Sequence, residues 1–235
     1  RAVRAIRPRA FLFENVKGLL AGKFAAYRRD VILGPLRRLG YDVRMSKPPL
    51  NAADYGVPQA RERVITVGFK KGLGVQWEWP KPTHSKDVLL AAQYVDGSYW
   101  KEHGLPARGE PVELVEHVGR MRPPPLPRWR TVRDVVAPGA STGFELRHEK
   151  GIVEVHEPDV PAWTVTATKW NNKLLRTDGG CGLRYLTIPE LAALQAFPEG
   201  WPFAGPEEEQ MRQIGNAVPP PMAEALMRAV ARALA

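Results

Sequence analysis

The chain has 235 residues, 44% of them hydrophobic and 25% charged, a balance that supports a buried core and excludes a disordered chain. No apolar run reaches the roughly 18–20 residues of a membrane span, and a single cysteine, Cys181, excludes an internal disulfide or a cysteine-based zinc site. Lys and Arg total 34 against 25 Asp and Glu, and the resulting charge of +9 favours a polyanionic partner.

Arg1–Arg9 is basic and reads as the end of a helix. Ala10–Phe13 is a short apolar run, expected as a buried strand of the parallel-sheet type. Glu14-Asn15 follows at its carboxyl end, where open α/β sheets place their chemistry. Lys23–Leu39 is expected as a helix with Tyr27, Val31, Leu33 and Leu36 as its apolar stripe. Gly34-Pro35 should break or kink it, and Gly40 should stop it. Tyr41–Met45 and Arg63–Phe69 read as strands. This β-α-β rhythm predicts an α/β sheet.

The rhythm is lost from about Gly72 to Asp178. Prolines are dense there, and the stretch carries Trp77, Trp79, Trp100, Trp129, Trp163 and Trp170. We read it as a second, small, irregular domain with short strands such as Trp163–Ala167. Regular structure returns at Thr187-Ile188-Pro189-Glu190, which fits a capping box, with Leu186 and Leu191 placed for a hydrophobic staple. That helix should run to Phe197 and stop at Pro198. A last helix begins near Pro220-Pro221, with Met222, Leu226, Val230 and Leu234 as its buried stripe.

Three segments could carry chemistry. Glu14-Asn15-Val16 is the first. Asn51 through Arg63 is the second; strand alternation would set Arg61 and Arg63 on one face, either to meet phosphate or a base carbonyl or simply as exposed strand arginines. Gln213 through Pro220 is a polar turn opening onto a helix, with a cap by Asn216 as the plain alternative.

Taken together these residues resemble the C5-cytosine DNA methyltransferases. Glu14-Asn15-Val16 is similar to that family's ENV motif. Gln59, Arg61 and Arg63 match its QxRxR block. Arg184-Tyr185-Leu186-Thr187 through Glu190, Leu194, Gln195, Phe197 and Pro198 resembles its penultimate motif, and Gly215 through Pro220 its last. The resemblance implies an α/β fold: a partial Rossmann-like S-adenosylmethionine-dependent methyltransferase domain with a small irregular, mostly β target-recognition domain inserted. On it, 1–72 is the second half of the catalytic domain, 73–183 the recognition domain, and 184–235 the motif helices that return to the catalytic domain.

The same resemblance implies the roles. Glu14 would hydrogen-bond N3 and the exocyclic amine of a flipped cytosine, Arg63 would hold O2, and Arg61 would orient the site or bind phosphate. Asn216, Ala217 and Val218 would border S-adenosylmethionine. Trp163-Thr164-Val165 resembles the short Thr-aliphatic signature of such recognition domains, with a buried strand as an equal reading, and Lys169-Trp170-Asn171-Asn172-Lys173 is a groove contact or a solvated loop. Gln59, Thr164, Lys169, Asn171 and Lys173 would contact double-stranded DNA, with no metal and no membrane involved. The family's Pro-Cys nucleophile and glycine-rich first motif are not found, and Cys181 has the wrong neighbours for the former. With Arg1 rather than Met at its start, the chain is expected to be a carboxyl-terminal portion, cropped or one part of a split cytoplasmic restriction-modification enzyme. It would be inactive without the amino-terminal portion. Two alternatives are a non-catalytic DNA-recognition subunit and an enzyme of the same chemistry acting on tRNA.

Overall fold

The structure is a computed structural model. It describes residues 1–108, 124–136, 142–147, 153–167, 173–176 and 182–235. The chain forms two compact units: residues 1–51, 62–81 and 223–235, and residues 52–61 and 82–222. These units divide the chain at other places than the boundaries at 72 and 183 expected from the sequence.

The first unit is built on a sheet of order β1-β4-β2, from β1 (Ala10–Val16), β2 (Tyr41–Met45) and β4 (Glu62–Lys70), with the short β3 (Leu50–Asn51) also paired to β4. Residues Val64 to Phe69 are all buried, so β4 reads as an unbroken apolar run rather than an alternating one. Both β1 and β2 are antiparallel to β4, which corrects the parallel pairing expected for Ala10–Phe13. The two outer strands run in the same direction but are separated by β4, so the helical segment between them is a crossover. An apolar run records burial on two faces, not strand direction. Phe11 pairs with Gly68, and its ring lies so close that a Cβ on Gly68 would sit 2.2 Å from it. β1 also continues through Glu14 and Asn15, which lie in the strand rather than after it.

A short helix α1 (Ala2–Ile6) precedes β1. The segment after β1 is helical as expected, but it does not break at Gly34-Pro35. It passes from α2 (Ala25–Tyr27) through a π-helical turn at Arg28–Leu33 into α3 (Gly34–Arg38). In the π turn the Gly34 N–H bonds the Arg29 carbonyl, one residue beyond the α spacing. The widened turn removes the clash that Pro35 would make with a carbonyl four residues back. Leu33 and Leu36 pack on Val3, Phe11, Tyr41 and Val43, whereas Tyr27 and Val31 of the expected stripe are exposed. Gly40 ends the segment at φ +88°. Trp77 and Trp79 belong to this unit, not to an irregular second one: Trp77 packs with Val67, Phe69, Ala229 and Val230.

The second unit holds more helix than expected. Ser85 caps α4 (Lys86–Tyr94), and α5 (Ser98–Glu102) follows; Leu89, Ala92, Tyr99 and Trp100 form one core. An antiparallel sheet of order β6-β5-β7-β8 contains β5 (Thr142–Arg147), β6 (Val153–His156), β7 (Lys173–Arg176) and β8 (Gly182–Tyr185). Trp163–Ala167 is not a strand. It is an extended segment joined by one parallel bridge, Gln59 to Ala162.

Helix α6 (Ile188–Leu194) starts at the expected capping box, in which Thr187 and Glu190 exchange hydrogen bonds. It ends before Phe197, because Ala196 takes a left-handed conformation. α7 (Glu207–Asn216) was not expected; its Met211 and Ile214 join Val132, Val165, Leu191 and Leu194 in the main core. The last helix, α8 (Pro220–Leu234), buries Met222, Leu226 and Val230 as its spacing predicts. Among the described residues no helix is long and apolar enough to cross a membrane.

Candidate functional site

Glu14 and Arg63 meet in the first unit. Glu14 stands opposite Ile65 on the antiparallel ladder, so Arg63 is its diagonal neighbour on the same face. The Arg63 Nε lies 2.5 Å from the Glu14 Oε1, with side-chain exposures of 12% and 22%. The guanidinium also donates to the Glu62 carbonyl at 2.9 Å, and Glu62 itself pairs with Lys17 at 2.6 Å. The pair is therefore half-enclosed and held, yet reachable. Asn15 accepts the Val16 N–H through Oδ1 at 2.9 Å, which shapes the chain as it leaves β1.

A pocket of about 420 Å³ opens beside these residues. Glu14, Asn15 and Thr66 give it a polar wall, and Tyr27, Ile32 and Leu36 an apolar one. An acceptor next to a planar donor fork matches a flat ring edge that carries N–H and C=O groups side by side.

Gln59 and Arg61 stand differently. Gln59 is fully buried in the second unit, and its expected contact with DNA is corrected by its partners. Its Oε1 accepts the Val165 N–H at 2.9 Å, and its Nε2 donates to the Leu194 carbonyl and to the Gln195 Oε1. Gln195, also buried, passes the chain on to the Ile214 carbonyl at 2.7 Å. Arg61 donates to the carbonyls of Val165, Gly215 and Ala217 at 3.0, 3.0 and 3.1 Å.

Arg61 therefore does not share a face with Arg63. It precedes β4, where strand alternation does not apply, and its guanidinium is buried. Gly215 lies flat against the Thr166–Ala167 peptide: a Cβ there would come within 2.4 Å of it. Sequence reasoning quoted Gln195 only as part of a motif. A polar residue just past an apolar helix end was the available signal.

The remaining candidates divide. The half-buried Thr164 donates to the Ala60 carbonyl at 3.3 Å. Asn216 ends α7 with its side chain exposed, and Ala217 and Val218 are half-buried. The exposed Asn216 amide offers both a donor and an acceptor, beside a turn that Arg61 holds by two carbonyls. That donor set fits a polar cofactor bearing hydroxyl or carboxylate groups. Lys169 and Asn171 lie outside the described residues, as does Cys181. Lys173 opens β7, where the backbone alone is described.

Several other ionisable groups in this unit pair with one another. Arg128 donates to Asp134 at 2.8 Å and to Glu102 at 3.0 Å, so a cation already sits among Glu102, His103 and Asp134. Although burial opposes it, this pairing and the Thr131 N–H hold the Asp134 carboxyl below its ordinary range. Burial pushes the His84 imidazole down, reinforced by Arg130 and Arg128. Burial raises the Asp54 carboxyl, partly offset by a hydrogen bond from Trp129.

Similar curated proteins include the type II methyltransferases M.Eco47II of Escherichia coli (31% identical over 100% of this chain) and M.NgoMIV of Neisseria gonorrhoeae (29% over 100%). M1.HphI of Haemophilus parahaemolyticus is 32% identical over 98% of the chain. The chain spans 56%, 68% and 58% of their lengths, respectively. Among solved structures, the fold matches a protein described as a prophage-encoded DNA modification methyltransferase of Escherichia coli, at a TM-score of 0.58 and 20% identity. That match covers all of this chain and 72% of the other. The Dnmt2 methyltransferase of S. pombe matches at a TM-score of 0.52 and 18% identity, over 96% of this chain and 67% of its own. The model of the C-5 cytosine-specific DNA methylases matches residues 1–232, and the chain belongs to that family, with its α/β methyltransferase fold.

Proposed function

We propose that this chain is the base-binding and DNA-recognizing portion of a DNA (cytosine-5-)-methyltransferase of a type II restriction-modification system, working in the bacterial cytoplasm. The observation that carries the reading is the Glu14–Arg63 pair, whose Glu14 lines a pocket of about 420 Å³. Residues 1–72 supply that pair, residues 73–183 read the DNA, and residues 184–235 return to the catalytic domain. The substrate is a cytosine rotated out of duplex DNA, at a cost of a few kcal/mol. Basic side chains offset part of that cost through phosphate contacts.

Cytosine C5 becomes nucleophilic once a thiolate adds to C6, and electron density then builds on the ring. Arg63 donates to O2, and Glu14 holds a proton at N3 and accepts from the exocyclic amine, so both stabilise the charge as it develops. S-adenosylmethionine, when bound, supplies the electrophilic methyl group. Asn216, with the backbone of Ala217 and Val218, would hold its polar groups. Thr164, Lys169, Asn171 and Lys173 would face the DNA.

The only cysteine of these 235 residues is Cys181, in Gly-Gly-Cys-Gly, which lacks the Pro-Cys context. The thiolate and the glycine-rich cofactor loop would come from an amino-terminal portion, on the same or a separate chain. In support, β1 has β4 as its one strand partner among the described residues, which leaves an edge where another strand of the same sheet could add.

The test is Glu14→Gln in the complete enzyme, read by methyl transfer to duplex DNA. We expect kcat to fall by about 10²-fold or more, with DNA affinity within a few-fold of wild type. Undiminished methylation would remove Glu14 from the chemistry and leave DNA recognition as the role of this chain.

A further inference from the structure

The side-chain hydrogen bonds of Gln59 and Arg61 described above lie within the second unit, and they converge on one residue. Gln59 takes the N–H of Val165 and Arg61 takes its C=O, so the peptide groups on both sides of that residue are held. From the same two side chains, bonds run to a second segment. Arg61 reaches Gly215 and Ala217, and Gln59 reaches Ile214 through Gln195. Gly215 seals the junction by lying directly on the Thr166–Ala167 peptide. Thr164 is adjacent to the first clamped residue, and Asn216 lies between two carbonyls of the second segment that Arg61 binds.

We propose that Gln59 and Arg61 are positioning residues. They touch neither base nor phosphate, but fix Thr164 and the Asn216–Val218 turn as one rigid piece. The inference rests on the reading above, in which Thr164 faces DNA and the turn borders the cofactor. Its consequence is specific: one side chain that contacts neither ligand should control the affinity for both. The guanidinium geometry explains why arginine is required. Its planar fork spans three carbonyls on two segments, whereas an ammonium is a point donor on a flexible stem.

The experiment uses the complete enzyme with two probes, a short fluorescein-labelled duplex of randomised sequence and S-adenosylhomocysteine. Binding is measured by anisotropy and calorimetry. Arg61→Lys keeps the charge and most of the volume, so it should fold. Both dissociation constants should rise about tenfold or more together. If Arg61 instead contacted phosphate, lysine would replace it, and near-wild-type DNA binding would overturn the proposal. A loss confined to DNA, with S-adenosylhomocysteine unaffected, would overturn it as well.

Where Arg61→Met folds, the slope of log K against log salt should match wild type. A slope smaller in magnitude by about 0.9, the signature of one lost phosphate contact, would overturn the proposal. Failure of the underlying reading looks different: the wild-type enzyme itself would bind neither probe.

Discussion

Around Glu14 and Arg63, a carboxylate that lines a pocket meets a guanidinium, and both are partly exposed. Around Arg61, only two positions earlier in the chain, the guanidinium is buried and donates to three backbone carbonyls. The residue type is the same, and so is the sequence block. What separates them is the partner. A carboxylate can exchange its guanidinium for a substrate and regain it afterwards. A buried carbonyl that loses its donor has no water to turn to, so the bond is structural. Proximity in a motif therefore does not imply a shared task.

The largest effect that would break this comparison comes from Gly215→Ala. The new methyl group would strike the Thr166–Ala167 backbone, which cannot rotate away as a side chain can. A loss of about 3 kcal/mol is expected, read by denaturant unfolding of the complete enzyme. Stability within a few tenths of wild type would mean that the buried cluster is looser than drawn. Next is Thr187→Ala, which removes the capping box of α6, the helix that carries Leu194 to the Gln59 amide. It should cost about 1 kcal/mol in the same measurement.

The smallest effect is a slope in pH. Because the folded His84 imidazole lies below its ordinary 6.5, the unfolded chain takes up the proton first, and stability falls as pH drops below that value. Asp134, held low, adds a further loss below 3.8 as its pairing with Arg128 is protonated away. Asp54 works in the opposite direction, since its raised value lets the folded state accept a proton first as pH falls toward 3.8. His84→Asn should flatten the first part of that profile, as followed by thermal melts across pH.

Local rules were read well from the sequence. The Thr187 capping box, the Gly40 stop and the four-residue stripe of α8 all depend on near neighbours, and each is present. Features set by distant partners were not. β1 is antiparallel because of β4, some fifty residues on, and an apolar run carries no record of direction. α7 was hidden because Glu207, Glu208 and Glu209 open it and few apolar positions follow, so its stripe is too short to stand out. Trp77 and Trp100 fall in the proline-dense stretch read as irregular, yet both are buried in cores.

At the candidate site, the sequence pointed to Glu14 and Arg63, which the fold brings together. Assigning Arg61 by strand alternation failed because the strand begins at Glu62. Burial of Gln59 left no local trace, since its partners lie more than a hundred residues away.

The π turn at Arg28–Leu33 constrains how this part of the chain can change in length. Such a turn holds one residue more than an α-helix needs over the same rise. Deleting any one residue there would restore α spacing and return Pro35 to a position where its ring meets a backbone carbonyl, a penalty of about 3 kcal/mol. Adding a residue would displace Leu33 and Leu36 from Phe11 and Tyr41. Amino-acid replacements at the exposed Arg29 or Val31 leave that arrangement untouched. The segment can thus drift in composition while its residue count stays fixed, and indel scanning would reveal it as a gap between tolerant point substitutions.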